Sequence, residues 1–86
     1  MADNLKFIDI GFGNLVSASK ILCIAVADSS PSRRLVQEAR DRSMLVDACA
    51  GKKSRSVIIT ESDHVILSSL EPSAIKEIIE GKGGDS

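Results

Sequence analysis

A chain of 86 residues is one small domain, marginal by itself because it buries a modest fraction of its surface. Its 11 basic and 12 acidic side chains leave a net charge of −1, which excludes a generally basic protein; any contact with DNA or RNA has to come from a local patch, or from one patch repeated by symmetry. Only two aromatic residues, Phe7 and Phe12, are present, which argues against reading single strands by base stacking.

The opening Met1-Ala2-Asp3-Asn4 has neither a basic n-region nor an apolar h-region, so no signal peptide is expected. No apolar run approaches the roughly 20 residues needed to cross a bilayer. A cytoplasmic protein with two buried free thiols, Cys23 and Cys49, is expected, since both sit in apolar, strand-like runs.

Leu5 to Ile10 reads as a strand, with Leu5 and Phe7 on one face and Ile8 and Ile10 on the other. Gly11-Phe12-Gly13-Asn14 is a turn, and Leu15-Val16-Ser17 a short returning strand. After a polar break at Ala18 to Lys20, Ile21 to Ala27 is an unbroken apolar run, which suits a strand covered on both faces. Asp28-Ser29-Ser30-Pro31 opens a helix, with Ser30 as cap and Pro31 in the first helical position. The helix runs to about Arg42, with Leu35, Val36 and Ala39 turned inward.

Met44 to Cys49 and Val57 to Thr60 are both strand-like and flank Gly51-Lys52-Lys53-Ser54-Arg55. A glycine between two apolar, β-branched runs predicts a hairpin, which would hold Lys52, Lys53 and Arg55 out on a rigid tip. Such a tip is either a solvated loop with ordinary charges or an anion-binding element, most naturally for nucleic-acid phosphate. Lys20 also begins a strand, and a shared sheet edge would bring it beside Lys52 and Lys53. Past the polar turn Glu61-Ser62-Asp63, His64 to Leu70 reads as a strand, with Val65 and Leu67 opposite Ile66 and Leu70. Pro72 opens a last helix with the stripe Ile75, Ile78 and Ile79, and Gly81 stops it.

The fold class is therefore α+β, a small β-rich domain with two short helices. Residues 1–80 are expected to form one domain, and residues 81–86 a disordered tail. Several strands are apolar on both faces, yet only two helices exist to cover them. Exposed apolar sheet of that kind marks a protein interface, so a homo-oligomer is expected.

Catalytic and cofactor motifs are weak. Gly11-Phe12-Gly13 follows a strand but lacks the third glycine of a dinucleotide fingerprint, and strand rather than helix comes next. Asp63-His64 with nearby serines does not make a triad, since sequence adjacency is not triad geometry; a histidine hydrogen-bonded locally at a strand start is expected. Cys23, Cys49 and His64 lack the close pairs of structural zinc sites. The chain is read as a non-enzyme with no cofactor, no metal and no membrane partner.

The runs Lys6-Phe7-Ile8-Asp9-Ile10-Gly11-Phe12-Gly13-Asn14-Leu15-Val16-Ser17-Ala18, Gln37-Glu38-Ala39-Arg40-Asp41 and Asp63-His64-Val65-Ile66-Leu67-Ser68 together resemble the RemA family of bacterial regulators, in matching order and spacing from about Leu5 to Ile79. The resemblance implies a DNA-binding transcriptional regulator of extracellular matrix (biofilm) genes, in some bacteria also of osmoprotection genes. It implies a ring-shaped homo-oligomer of LytTR-like subunits, associated with the nucleoid. It also implies DNA contacts at Lys20, Lys52 and Lys53, to which the reading of the loop adds Arg55. Relatives carry arginine where this chain has these lysines; lysine keeps the charge but loses the planar fork that grips phosphate or guanine bidentately. RNA binding, or a purely structural scaffold, is the alternative reading.

Overall fold

A computed structural model describes residues 6–81. The elements in chain order are β1 (Phe7–Asp9), β2 (Leu15–Ser17), a 3-10 turn (Ala18–Lys20), β3 (Ile21–Val26), α1 (Ser30–Asp41), β4 (Leu45–Asp47), β5 (Ser56–Thr60), β6 (Val65–Ser68) and α2 (Pro72–Ile79). This is the expected α+β domain with two helices.

β1 and β2 pair antiparallel as a separate two-stranded sheet. The connecting turn is built by its own side chains. The Asp9 carboxylate accepts from the Gly11 N–H at 2.7 Å, and the Asn14 amide donates to the Gly11 carbonyl at 2.8 Å. Gly11, Phe12 and Gly13 all have positive φ, so the paired glycines serve the turn and no helix follows. Ile8 and Ile10 turn into the core, while Phe7, Phe12 and Leu15 stay exposed.

The main sheet has the order β3-β5-β6-β4. β3 and β6 both run antiparallel to β5, and β4 runs parallel to β6. Alternation along the two central strands sends side chains to opposite faces. Val57, Ile59, Val65 and Leu67 meet Val36 and Ala39 of α1 on one face. Ile58 and Ile66 meet Ile75, Ile78 and Ile79 of α2, with Ile8 and Ile10 of the hairpin, on the other. The strands are apolar on both sides because they are the middle layer of three. Ile58 and Ile75 are fully buried, each stabilising the fold by about 1.5–3 kcal/mol.

Buried hydroxyls stitch these layers together. Ser68 Oγ donates to the Ile10 carbonyl at 2.7 Å, tying the hairpin to the sheet, and Ser56 Oγ donates to the Leu70 carbonyl at 2.5 Å. α1 is capped by Ser29, whose hydroxyl accepts from the Ser32 N–H at 3.3 Å; the cap falls one residue before the expected Ser30 because Ser30 already has helical backbone. α2 starts at Pro72 and closes at Gly81, whose N–H donates to the Ile78 carbonyl at 3.1 Å, as the sequence predicts.

Three expectations need correction. β4 and β5 are not a hairpin: β6 lies between them, and the loop from Ala48 to Arg55 arches over its end. β3 is an edge strand, not one covered on both faces: α2 packs against it, while the main contacts of α1 fall on β4 and β6. In consequence Cys23 is exposed together with Leu22 and Val26, whereas Cys49 is buried as expected. Of the expected tail, residues 82–86 lie outside the described residues, as does Leu5. No helix among the described residues is long and apolar enough to cross a membrane.

Candidate nucleic-acid interface

The 48–55 loop keeps its shape through the strand it crosses. At its start the Ala48 N–H donates to the Leu67 carbonyl at 3.0 Å, and at its end the Arg55 N–H donates to the Ser68 carbonyl at 2.8 Å. Both anchors are on the last residues of β6. Between them the Lys52 N–H closes a turn on the Cys49 carbonyl at 2.9 Å. Ala50 and Gly51 both take positive φ, which turns the chain outward just before the cations. Nothing lies within 4 Å of the position a Cβ would take at Gly51, so glycine serves the backbone angle there and not close packing. The cations thus stand on a fixed tip, as the sequence predicts, although an arch and not a hairpin holds them.

The electrostatics of the tip separate its members. Lys52 and Lys53 are exposed, and among the described residues no carboxylate lies within ion-pair distance of either. Arg55 Nη1 is 3.6 Å from Glu71 Oε2 at the start of α2. Both partners are more than half exposed, and a pair of that kind is worth about 0–1 kcal/mol, so Glu71 holds Arg55 only weakly. Lys53 and Ser54, with Asp28, form a ridge shared by two recesses, one of about 440 Å³ toward α1 and one of about 480 Å³ toward the start of α2.

Lys20 is not part of this cluster. Its carbonyl accepts from the Glu61 N–H at 2.8 Å and its Nζ is 3.7 Å from Glu61 Oε1, which places it at the turn between β5 and β6. The tip sits at the other end of β5, whose five residues span about 17 Å. The shared edge that would have joined Lys20 to Lys52 and Lys53 within one chain does not exist, because β3 and β5 run in opposite directions.

Two α1 arginines share a recess with the tip. Arg33 and Arg40 line the α1-side recess with Lys53. Arg33, Gln37 and Arg40 follow i, i+4, i+7 spacing, so the stripe was legible as one helix face, but its target was not. Arg33 also pairs with Asp28.

His64 behaves as expected: Ser62 Oγ and His64 Nδ1 are 2.7 Å apart, and Thr60 Oγ1 lies 3.0 Å from Ser62 Oγ, a local network at a strand start. Among the described residues no three His, Cys, Asp or Glu side chains gather as a metal site. Burial pushes the Cys49 thiol up to about 11, and the Asp47 carboxylate beside it adds to the shift by hydrogen bonding and charge. Its raised folded-state value sets the sign of the pH effect: the unfolded chain loses this proton first, so the contribution of Cys49 to stability is whole below about pH 9 and is lost as pH rises toward 11. At neutral pH a thiol reagent should modify Cys49 only as fast as the protein unfolds; labelling as rapid as that of a free cysteine would contradict this burial.

With this geometry in place, comparison with known proteins places the chain among close relatives. The family model described as extracellular matrix regulatory protein A-like matches residues 7–79. A protein of Heliobacterium modesticaldum is 52% identical over 79 residues, covering 92% of this chain and 87% of the relative. One from Halalkalibacterium halodurans is 51% identical with 92% and 91% covered, and one from Brevibacillus brevis is 50% identical with 95% of each chain covered. All three carry the name "putative regulatory protein".

Proposed function

The chain belongs to the RemA-like family of regulatory proteins, and from that premise we propose that it is a DNA-binding transcriptional regulator of extracellular matrix (biofilm) genes, acting as a homo-oligomeric ring on the nucleoid in the cytoplasm. The observation that carries the DNA contact is the fixed tip, on which Lys52 and Lys53 stand exposed and, among the described residues, without an ion-pair partner, on a chain whose net charge is −1. The family's regulatory name points away from catalysis.

Oligomerisation rests on apolar surface that one chain leaves uncovered. Leu22 and Val26 on the free edge of β3 are 65% and 54% exposed, and Phe7 and Leu15 on the hairpin stand in the open as well. A second copy covers such surface. A ring of LytTR-like subunits would then repeat the tip at regular intervals. Two or three cations per chain bind duplex weakly, but many tips on one assembly bind it through multivalency. Lys20 supplies a second, separate contact at the far end of β5. Lysine tips attract phosphate without a bidentate fork, so sequence preference comes mainly from the shape and deformability of the duplex.

A salt titration of duplex affinity tests this reading. Each phosphate neutralised contributes about −0.9 to the slope of log affinity against log salt. One tip of three cations cannot exceed a slope of about −3, so the repeated tip requires a steeper one. A flat response would sink the DNA reading. Competition between duplex DNA and RNA separates it from RNA binding: duplex DNA should displace RNA, and the reverse order would favour the alternative.

A further inference from the structure

The recess between α1 and the tip has a composition that DNA phosphate contacts do not account for. Its volume of about 440 Å³ falls within the range of small-ligand sites, about 300–1,000 Å³. Arg33, Arg40 and Lys53 line it, and its one carboxylate, Asp28, is already paired with Arg33. Val36 and Leu67, both half-buried, supply an apolar part of the wall, and Gln37 stands between the two arginines in sequence and on the helix face.

Each simpler occupant leaves part of this lining unused. A single inorganic anion would engage cations but neither the apolar wall nor most of the volume. An uncharged apolar molecule would leave Arg40 and Lys53 without an anion. A duplex backbone carries its phosphates on a convex surface with the bases turned inward, so it meets the ridge of Lys53 and Ser54 but sends no ring into the recess. Seven residues of helix separate Arg33 from Arg40, about 10 Å along the axis, which is more than one phosphate spans. The Gln37 amide donates to Asp41 at 3.1 Å, which leaves its carbonyl to accept from a ligand. A ligand with a flat ring for Val36 and Leu67, a hydrogen-bond donor for the Gln37 carbonyl and a chain of phosphates for the cations uses the whole lining.

We infer that the recess between α1 and the 48–55 loop binds a nucleoside polyphosphate. The site stands on its own lining and does not depend on the DNA reading. Only one consequence does: Lys53 lines the recess and crowns the tip, so a bound polyphosphate withdraws it from duplex and lowers DNA affinity.

Isothermal titration of the full chain with ATP and with GTP, in the absence of DNA, tests the site. Adenosine and tripolyphosphate serve as the two half-ligands. At least one nucleotide should bind with one equivalent per chain, and about tenfold or more tighter than tripolyphosphate at the same ionic strength. Arg40→Gln should weaken that binding by about ten- to a hundredfold, the worth of a charge-assisted hydrogen bond, with the melting temperature unchanged. Lys52→Ala should leave nucleotide binding intact while weakening duplex binding, because Lys52 does not line the recess; the two readings therefore fail separately. Absence of binding by both nucleotides at millimolar concentration overturns the site. So does tripolyphosphate binding as tightly as the nucleotides, which would reduce the recess to a charge sink, and so does indifference to Arg40→Gln.

Discussion

Replacing Lys52 and Lys53 together by alanine should abolish duplex binding under conditions where the unaltered protein binds, a loss of at least about a hundredfold, while oligomer mass and melting temperature stay nearly unchanged. Each lysine is exposed and, among the described residues, has no ion-pair partner, so its removal breaks no ion pair there. The loop is held by backbone hydrogen bonds from Ala48, Lys52 and Arg55, all of which alanine preserves. Each removed cation forfeits one phosphate contact per chain, and the loss is multiplied by every copy that meets the same duplex. Electrophoretic mobility shift beside light scattering and thermal melting reads all three quantities. An oligomer that falls apart would identify the tip as an interface, and unchanged duplex binding would identify it as a solvated loop.

The second large effect is expected at the edge of the sheet. Leu22→Asp with Val26→Asp should reduce the assembly to a single chain of about 9.1 kDa and lower duplex affinity by about 10²–10⁴, the usual worth of multivalency. Edge strands are commonly guarded by charge, proline or bulges. β3 has an irregularity between Ile21 and Cys23, but no charged residue or proline between Ile21 and Ala27. Its edge backbone and its exposed Leu22 and Val26 are open to another copy. Both side chains are more than half exposed, so carboxylates there are solvated in the lone chain and the fold should survive, with circular dichroism unchanged. Retention of the full mass would move the interface elsewhere, with the hairpin face at Phe7 and Leu15 as the next candidate. Cys23 gives an independent readout, since it is exposed on this strand in one chain: dissociation should speed its labelling.

Local chemistry was readable in the sequence wherever partners lie close along the chain. The β1–β2 turn follows from Asp9, Gly11 and Asn14, which bond to one another. The α2 stripe and the two faces of β6 follow from spacing alone, and the cluster of Ile58, Ile66 and Ile75 bears them out. What the sequence could not disclose is non-local. A glycine between two apolar runs signals a hairpin, but the eight residues from Ala48 to Arg55 are enough to cross a third strand, and β4 pairs parallel with β6 instead of folding back on β5. An unbroken apolar run reads the same on an edge strand as on a central strand, so the exposure of Cys23 was hidden. The distance from Lys20 to the tip depends on strand direction, which residue types do not encode. The cations at Lys52, Lys53 and Arg55 were legible as a tip because a glycine and three charges stand together; Arg33 and Arg40 joined them only once α1 was laid against the sheet.

A small, near-neutral chain that binds duplex DNA by repeating one basic tip around an assembly is recognised by light-scattering mass, taken on the purified protein alone and with a long duplex at low and at high salt. The expected result is a mass several times that of one chain without DNA, a larger complex with duplex at low salt, and release of the duplex at high salt with the protein assembly intact. A monomer whose mass is indifferent to duplex at both salts would contradict it.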